Sequence, residues 1–421
     1  MKAEIISIGS ELVSGQGLDT NSQWLSRALG AVGIAVHYHT TLGDDLAEEV
    51  AAFRVAIERA DLVLMNGGLG PTQDDLTREA LAQVAGVPLV EDPASLAAIA
   101  AMFARRNRPM AERNRVQALV PVGAEPLPNR VGTAPGLWMR VGRALVGCLP
   151  GVPSEMRIMF DEQVLPRLRQ LGRTGHVVVH HKINLFGRGE SDIEAGALDL
   201  TARGRVPEVG ITASDATISF RVTAQGADEA EARRLMEPTL ALIRERFGPL
   251  IVGEGSEDVA DAVVAQLART GATLATAESC TGGLIAHLIT AISGVSPYYL
   301  GGVVSYANEA KVALLGVPPA LLETHGAVSP EVARAMAEGV RQRLGAEVGL
   351  SVTGIAGPTG GTSDKPVGLV YLGLATADRA QTRRIEIGPE QPRDIIQRRS
   401  AKQALNWVRL ALRERPSAGR A

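Results

Sequence analysis

Apolar runs and helical periodicities alternate along most of the chain. Ala3 to Ile8 is apolar and stops at Gly9, as a buried strand does. Thr20 to Val32 carries Trp24, Leu25 and Leu29 at helical spacing, and predicts a helix capped by Thr20 or Asn21. Ile34 to Thr41 and Asp61 to Asn66 read as strands, with Leu46 to Glu58 as a helix between them. This order implies right-handed crossovers and a parallel sheet. Turn-rich stretches follow at Pro121 to Gly136 and Leu149 to Pro153, then a helix from Ser154 to about Leu171.

From about Thr174 to Phe247 the pattern changes. His176 to Phe186 and Ala216 to Thr223 read as strands, and the second alternates Thr217, Ser219 and Arg221 against Ile218, Phe220 and Val222. That predicts a sheet with one wet face. Ala227 to Phe247 reads as a helix, and Gly253-Glu254-Gly255-Ser256 as part of a linker. After it the alternation resumes. Val259, Val263 and Leu267 share a helix face; Thr273 to Ala277 is a strand and Gly282 to Ile292 a helix. Gly302 to Tyr306, Val348 to Thr353 and Val367 to Ala375 are further strands, while Pro330 to Leu344 and Asp394 to Leu412 are long helices. The tail from Pro416 to Ala421 is expected to be disordered.

The chain has 421 residues, enough for two or three domains. A net charge of −3 and an aromatic content of 3% argue against a nucleic-acid surface. Two cysteines, Cys148 and Cys280, form no disulfide framework and fit a reducing, cytoplasmic setting. No signal peptide or membrane span is expected. The seven histidines show no paired metal spacing.

Two stretches carry candidate chemistry. Asn66-Gly67-Gly68-Leu69-Gly70-Pro71-Thr72-Gln73-Asp74-Asp75 lies between a strand and a helix. Its glycines let backbone N–H groups approach a phosphate, and the helix start near Leu76 adds positive charge. Asp74 and Asp75 could equally cap that helix, and the stretch could be only a capped turn. Asp44-Asp45 and Gly9-Ser10-Glu11 follow neighbouring strands and should open on the same crevice. Carboxylates beside a phosphate cradle suit a divalent cation.

The second stretch is Ala277-Glu278-Ser279-Cys280-Thr281-Gly282-Gly283, between a strand and a helix whose N–H groups are expected to face an oxyanion. Tyr306 at a strand end and Lys311 about one turn into the next helix could converge on Ser279. No histidine is placed to act as base. A desolvated lysine can do so, with Tyr306 relaying or positioning the proton. The plain alternative makes Ser279 a cap and Lys311 a surface charge, and Cys280 is a competing nucleophile. The glycines and hydroxyls from Thr353 to Thr362 suit a nucleotide. Arg393, opening the last helix, could clamp a phosphate or be a solvated charge.

The segments Ile8-Gly9-Ser10-Glu11-Leu12, Gly17-Leu18-Asp19-Thr20-Asn21, Gly67 to Thr72, Gly132-Thr133-Ala134-Pro135-Gly136 and Leu149 to Met156 resemble the N-terminal domain of the CinA family. That domain is similar to the molybdopterin-binding fold of MoaB and MogA. Ser10 stands where the family motif leads one to expect threonine. The stretches around Ser279, Tyr306–Lys311, Thr353 and Arg393 resemble the family's C-terminal domain, a nicotinamide mononucleotide deamidase. The middle segment resembles its KH-like module, but Gly187-Arg188-Gly189-Glu190 lacks the GxxG clamp of RNA-binding relatives.

The resemblance implies an α/β chain in four parts. These are a parallel or mixed-sheet domain over 1–172, a small α+β module over 173–252, an α/β deamidase domain over 253–415, and the tail 416–421. It implies two activities. One is hydrolysis of nicotinamide mononucleotide to nicotinate mononucleotide and ammonia, with Ser279, Tyr306 and Lys311 catalytic and no cofactor. Thr281, Gly282, Gly283, Thr353, Gly357 and Arg393 would bind that substrate. The other is metal-dependent ADP-ribose pyrophosphatase activity, with Gly67, Gly68, Gly70 and Thr72 holding phosphate and Asp44 and Asp75 the divalent metal. A homodimer that binds neither nucleic acid nor membrane is expected. A regulatory or interaction protein of competence and DNA damage, or a pterin-binding biosynthetic protein, remain as alternatives.

Overall fold

The computed structural model describes residues 1–171 and 177–416, which divide into two compact units. The first comprises Met1–Val179 with Ala224–Leu235, the second His180–Thr223 with Met236 onward. The expected 172/173 boundary, the opening of a strand at His176 and the tail from 417 lie outside the described residues.

The first unit is built on a six-stranded sheet in the order Ala35–Leu42, Lys2–Ile8, Leu62–Asn66, Ala144–Leu149, Gly136–Val141, Glu125–Leu127. The first four strands run parallel and the last two antiparallel. Leu62–Asn66 and Ala144–Leu149 are buried along their whole lengths, because helices cover both faces. One face packs Ile6, Val63, Met65 and Val146 against Phe53 and Leu81; the other packs Ile5, Leu62 and Leu64 against Leu25, Met156 and Phe160. The first long helix is Thr20–Gly30, capped by Asp19, whose carboxylate accepts from Ser22 N. The cap is therefore one residue before the expected Thr20 or Asn21. The helix expected from Ser154 is Pro153–Met159, a π turn over Phe160–Val164, and Leu165–Gln170.

Two further sheets lie in the second unit, except for the ends of two of their strands. A four-stranded one takes the order Glu208–Ser214, Thr217–Gly226, Val177–Phe186, Ile251–Glu254. The last strand falls where a linker was expected: Ile251 and Gly253 pair with Leu185 and Asn184. Nor is one face simply wet. Thr217 and Ser219 are buried, and Ser219 donates to Asn184. The five-stranded sheet has the order Tyr299–Val304, Leu274–Glu278, Val348–Gly354, Leu369–Ala375, Ala380–Glu386. Its first three strands are parallel and the last two antiparallel. The edge strand Ala380–Glu386 alternates polar and half-buried positions and was not expected.

Helix Pro330–Leu344 covers one face of that sheet through Val332, Met336 and Val340, against Ala275 and Ala277. Helices Val259–Thr270 and Arg393–Arg413 cover the other. Phe186 and Val252 of the smaller sheet belong to this second core, beside Leu405 and Val408. Among the described residues no helix is long and apolar enough to cross a membrane.

Candidate active site at the end of the five-stranded sheet

The three parallel strands end side by side, so the residues that follow them collect at one sheet edge. Ser279 follows Leu274–Glu278, and its N–H continues the ladder to Val352 O at 3.0 Å. The chain then turns through Gly282 and Gly283, with φ of 64° and 99°. These left-handed conformations are why glycine stands at both positions. Helix Leu284–Thr290 starts immediately afterwards.

Glu278 holds this turn. Its carboxylate is 1% exposed and accepts from Gly283 N, Ile285 N and Ala286 N at 3.1, 3.0 and 2.8 Å. The helix N–H groups expected to face an oxyanion are therefore already bound. Cys280 N and Thr281 N are the donors of the turn with no acceptor on another residue among the described residues.

Lys311 lies on helix Asn308–Leu315, on the element after the neighbouring strand, and is 1% exposed. Its Nζ is 3.1 Å from Ser279 Oγ, 2.7 Å from Ser305 O and 3.2 Å from Tyr306 O. Burial pulls the ammonium below the usual lysine range. Two carbonyls take the two N–H bonds of a neutral amine, which leaves the lone pair for the serine hydroxyl. Tyr306 therefore meets Lys311 through its backbone carbonyl. Its phenol is exposed and accepts from Arg393 Nη2 at 3.0 Å. Arg393, also exposed, donates from Nη1 to Gly357 O at 2.7 Å. Thr353 donates to Ala327 O at 2.8 Å, and the buried Thr281 hydroxyl has no partner among the described residues.

Ser279, Cys280, Tyr306, Lys311, Thr353 and Arg393 line one pocket of about 200 Å³. Burial pushes the Cys280 thiol up to about 12, so it is a poor thiolate source. Two residues that sequence reasoning passed over belong here: Glu278, and Gln397, whose Nε2 donates to Cys280 O at 2.8 Å. Gln397 lies one turn after Arg393. That i, i+4 spacing on a helix opening at the site was the one signal available.

In the first unit, the Gly-rich turn follows strand Leu62–Asn66. A Cβ on Gly67 would lie 2.2 Å from Ile8 O, so close backbone packing alone demands glycine there. Asp75 organises the turn: it accepts from Gly70 N at 2.7 Å and from Thr72 N at 2.8 Å, and Thr72 Oγ1 donates to it as well. The helix Thr77–Ala85 has no side-chain cap, so Asp74 and Asp75 do not cap it. Gly68 O accepts from Thr77 N. Asp44 accepts from Ser10 N and Ser10 Oγ through Oδ2, at 2.8 and 2.7 Å, joining the loops after the first two strands.

Sequence reasoning missed Glu49, on helix Leu46–Arg59. It is fully buried, and neither carboxylate oxygen has a partner among the described residues. Burial first, then the charges of Asp44, Glu79, Asp45 and Asp75, push it up to about 8. Among the described residues no three carboxylate, histidine or cysteine side chains are grouped as a metal cage. A hard cation that keeps waters and substrate phosphates needs only one or two carboxylates, however. Asp44 Oδ1, free of protein donors, and the surplus negative charge around Glu49 fit such an ion.

Comparison with known proteins matches residues 4–170 to the family described as Probable molybdopterin binding domain. Residues 180–253 match the Damage-inducible protein CinA KH domain, and 256–412 the CinA C-terminal domain. A protein of Symbiobacterium thermophilum named for competence-damage induction is 46% identical over 419 residues, covering 97% of this chain and 98% of the relative. A CinA-like protein of Gloeobacter violaceus is 44% identical over 408 residues, covering 97% and 96%. The crystal structure of CinA from Thermoplasma acidophilum is 37% identical and covers 39% of this chain and 96% of its own, with a TM-score of 0.37.

Proposed function

This chain belongs to the CinA family, and from that membership we propose that its C-terminal domain hydrolyses the carboxamide of nicotinamide mononucleotide. The observation that carries the reading is the buried Lys311 Nζ, 3.1 Å from Ser279 Oγ and fixed by two carbonyls. Nothing else in the turn supplies a base, and the high Cys280 thiol pKa favours the hydroxyl as nucleophile.

Ser279 Oγ attacks the amide carbon while its proton passes to Lys311 Nζ. The tetrahedral oxyanion collapses, the C–N bond breaks, and Lys311 returns the proton to the leaving nitrogen, so ammonia departs. Water then adds to the ester carbon, again giving its proton to Lys311. The C–O bond to Ser279 breaks, Lys311 returns that proton to the leaving Ser279 Oγ, and nicotinate mononucleotide is released with the serine and the neutral amine restored. Arg393, held by Tyr306 and Gly357, and the hydroxyl of Thr353 stand at the pocket wall for the phosphoribosyl part.

For the first unit the reading is ADP-ribose pyrophosphatase activity. Asp44 and Asp75 would hold a divalent cation, which when bound neutralises charge on a pyrophosphate. Gly67 N donates to Leu149 O, and Gly70 N and Thr72 N donate to Asp75, so Gly68 N and Leu69 N are the backbone donors that would meet the phosphates. The deciding experiment offers the full chain each substrate separately. Ammonia from the mononucleotide, lost in Ser279→Ala, supports the first activity; ammonia release unchanged in that variant rejects Ser279 as nucleophile.

A further inference from the structure

An amide hydrolase must bind the oxyanion of its tetrahedral intermediate, and the usual donors at a strand–turn–helix nucleophile are the helix N–H groups. Here Gly283, Ile285 and Ala286 give theirs to Glu278, while Gly282 N donates to Ser279 O at 3.1 Å and Leu284 N to Thr281 O at 3.1 Å. Cys280 N and Thr281 N are left. Both peptides have their opposite ends fixed. Ser279 O, on the peptide that carries Cys280 N–H, is held by Gly282 N. Cys280 O, on the peptide that carries Thr281 N–H, is held by Gln397 Nε2 at 2.8 Å. In a trans peptide the C=O and N–H point in opposite directions, so pinning the carbonyl aims the amide.

We propose that Cys280 N–H and Thr281 N–H form the oxyanion hole, and that Gln397 is a positioning residue that aims the Thr281 amide by holding the Cys280 carbonyl. The proposal rests on the deamidase reading. Glu278 has a supporting part: by occupying the three helix amides it fixes the turn and removes the competing donors. Gln397 is half-buried on the face of helix Arg393–Arg413 that meets the turn, one turn from Arg393. The helix thus presents Arg393 to the pocket and Gln397 to the turn that carries Ser279.

The test uses the full chain with nicotinamide mononucleotide, following ammonia release and thermal unfolding. Gln397→Met keeps the length and helix propensity but has no donor. Gln397→Glu places a carboxylate against the Cys280 carbonyl. Loss of one oxyanion donor costs on the order of 100–1000-fold in kcat, and Gln397 acts through such a donor, so a fall of roughly 10–100-fold is expected in both variants. KM should stay within about threefold, because the oxyanion forms only in the transition state. The unfolding temperature should be unchanged. A change confined to KM, or kcat unchanged in both variants while the wild type is active, overturns the proposal alone. A wild-type chain that released no ammonia would overturn the deamidase reading and the proposal with it.

Discussion

Lys311 in one unit and Glu49 in the other are both buried ionisable groups, and they keep different company. Lys311 loses water but gains two backbone carbonyls and a serine hydroxyl. Glu49 loses water, gains no hydrogen bond, and faces four other carboxylates. Burial favours the neutral form of both, lowering the lysine and raising the glutamate. In the first case the neutral form is an amine whose lone pair is directed at a serine hydroxyl. In the second it is a protonated acid with nothing to act on, in a field that a cation would relieve. Desolvation makes a group reactive only where partners also orient it.

The largest expected effect is on the oriented side. Ser279→Ala should lower ammonia release by several decades and leave the unfolding temperature unchanged. The deamidation rate should rise with pH through the lowered pKa of Lys311, because only the neutral amine accepts the serine proton. A flat profile across the lysine's titration would break the contrast with Glu49.

Next comes Asp44→Asn, expected to weaken metal-dependent ADP-ribose hydrolysis about tenfold or more by removing a cation ligand. Asp75→Asn should weaken it too and also loosen the turn, since Asp75 accepts from Gly70 and Thr72. A thermal melt separates the two variants. Asp44→Asn should leave unfolding nearly unchanged. Unchanged metal dependence in both would place the cation elsewhere.

The convergence of Lys311 on Ser279 was legible because both sit in contiguous motifs: Ser279 shortly before two glycines, and Lys311 five residues after Tyr306. Gln397 has no motif; its role exists only once helix Arg393–Arg413 is docked on the turn. Glu278 reads as the last residue of a strand, and only the hydrogen bonds to Gly283, Ile285 and Ala286 show what its carboxylate does. The strand Ile251–Glu254 was hidden because its glycine suggested a linker, while its pairing partner lies about seventy residues earlier. Glu49 was hidden by its helix, where a glutamate ordinarily faces water.

The strand Ile251–Glu254 also bears on whether the C-terminal domain can fold without the residues before it. A fragment opening at Ser256 would fold without Phe186 and Val252, which complete the core under Leu405 and Val408. It would also lose the carbonyls of Pro249 and Ile251 that accept from Arg409, and Thr217, which accepts from Lys402. Full burial of each apolar side chain is worth ~1.5–3 kcal/mol. Losing two such side chains, at ~2–4 °C per kcal/mol, should make that fragment unfold roughly 6–24 °C below one opening at Val177. Equal melting would show the smaller sheet to be dispensable.

The smallest effect concerns stability against pH, and the signs are opposite for the two groups. Lys311 has a folded pKa below its unfolded value of 10.5. The unfolded chain binds more protons between those values, so stability rises with pH there. Glu49 has a folded pKa of about 8 against 4.5. Its contribution is full below 4.5 and is lost as pH rises through about 8. Glu49→Gln should therefore raise the unfolding temperature above about pH 8 by a few degrees and flatten the slope below it. An unaltered slope would mean that water or a cation already relieves the acid.

The role of Lys311 as base is tested most directly by ammonia release from Lys311→Arg beside Lys311→Ala, each checked for unchanged folding. Arginine keeps the charge and the donors but cannot take a proton at working pH. The expected result is that both variants fall by several decades and differ little from each other. Recovery of most of the activity by arginine would contradict the base assignment, leaving Lys311 as a fixed charge beside Ser279.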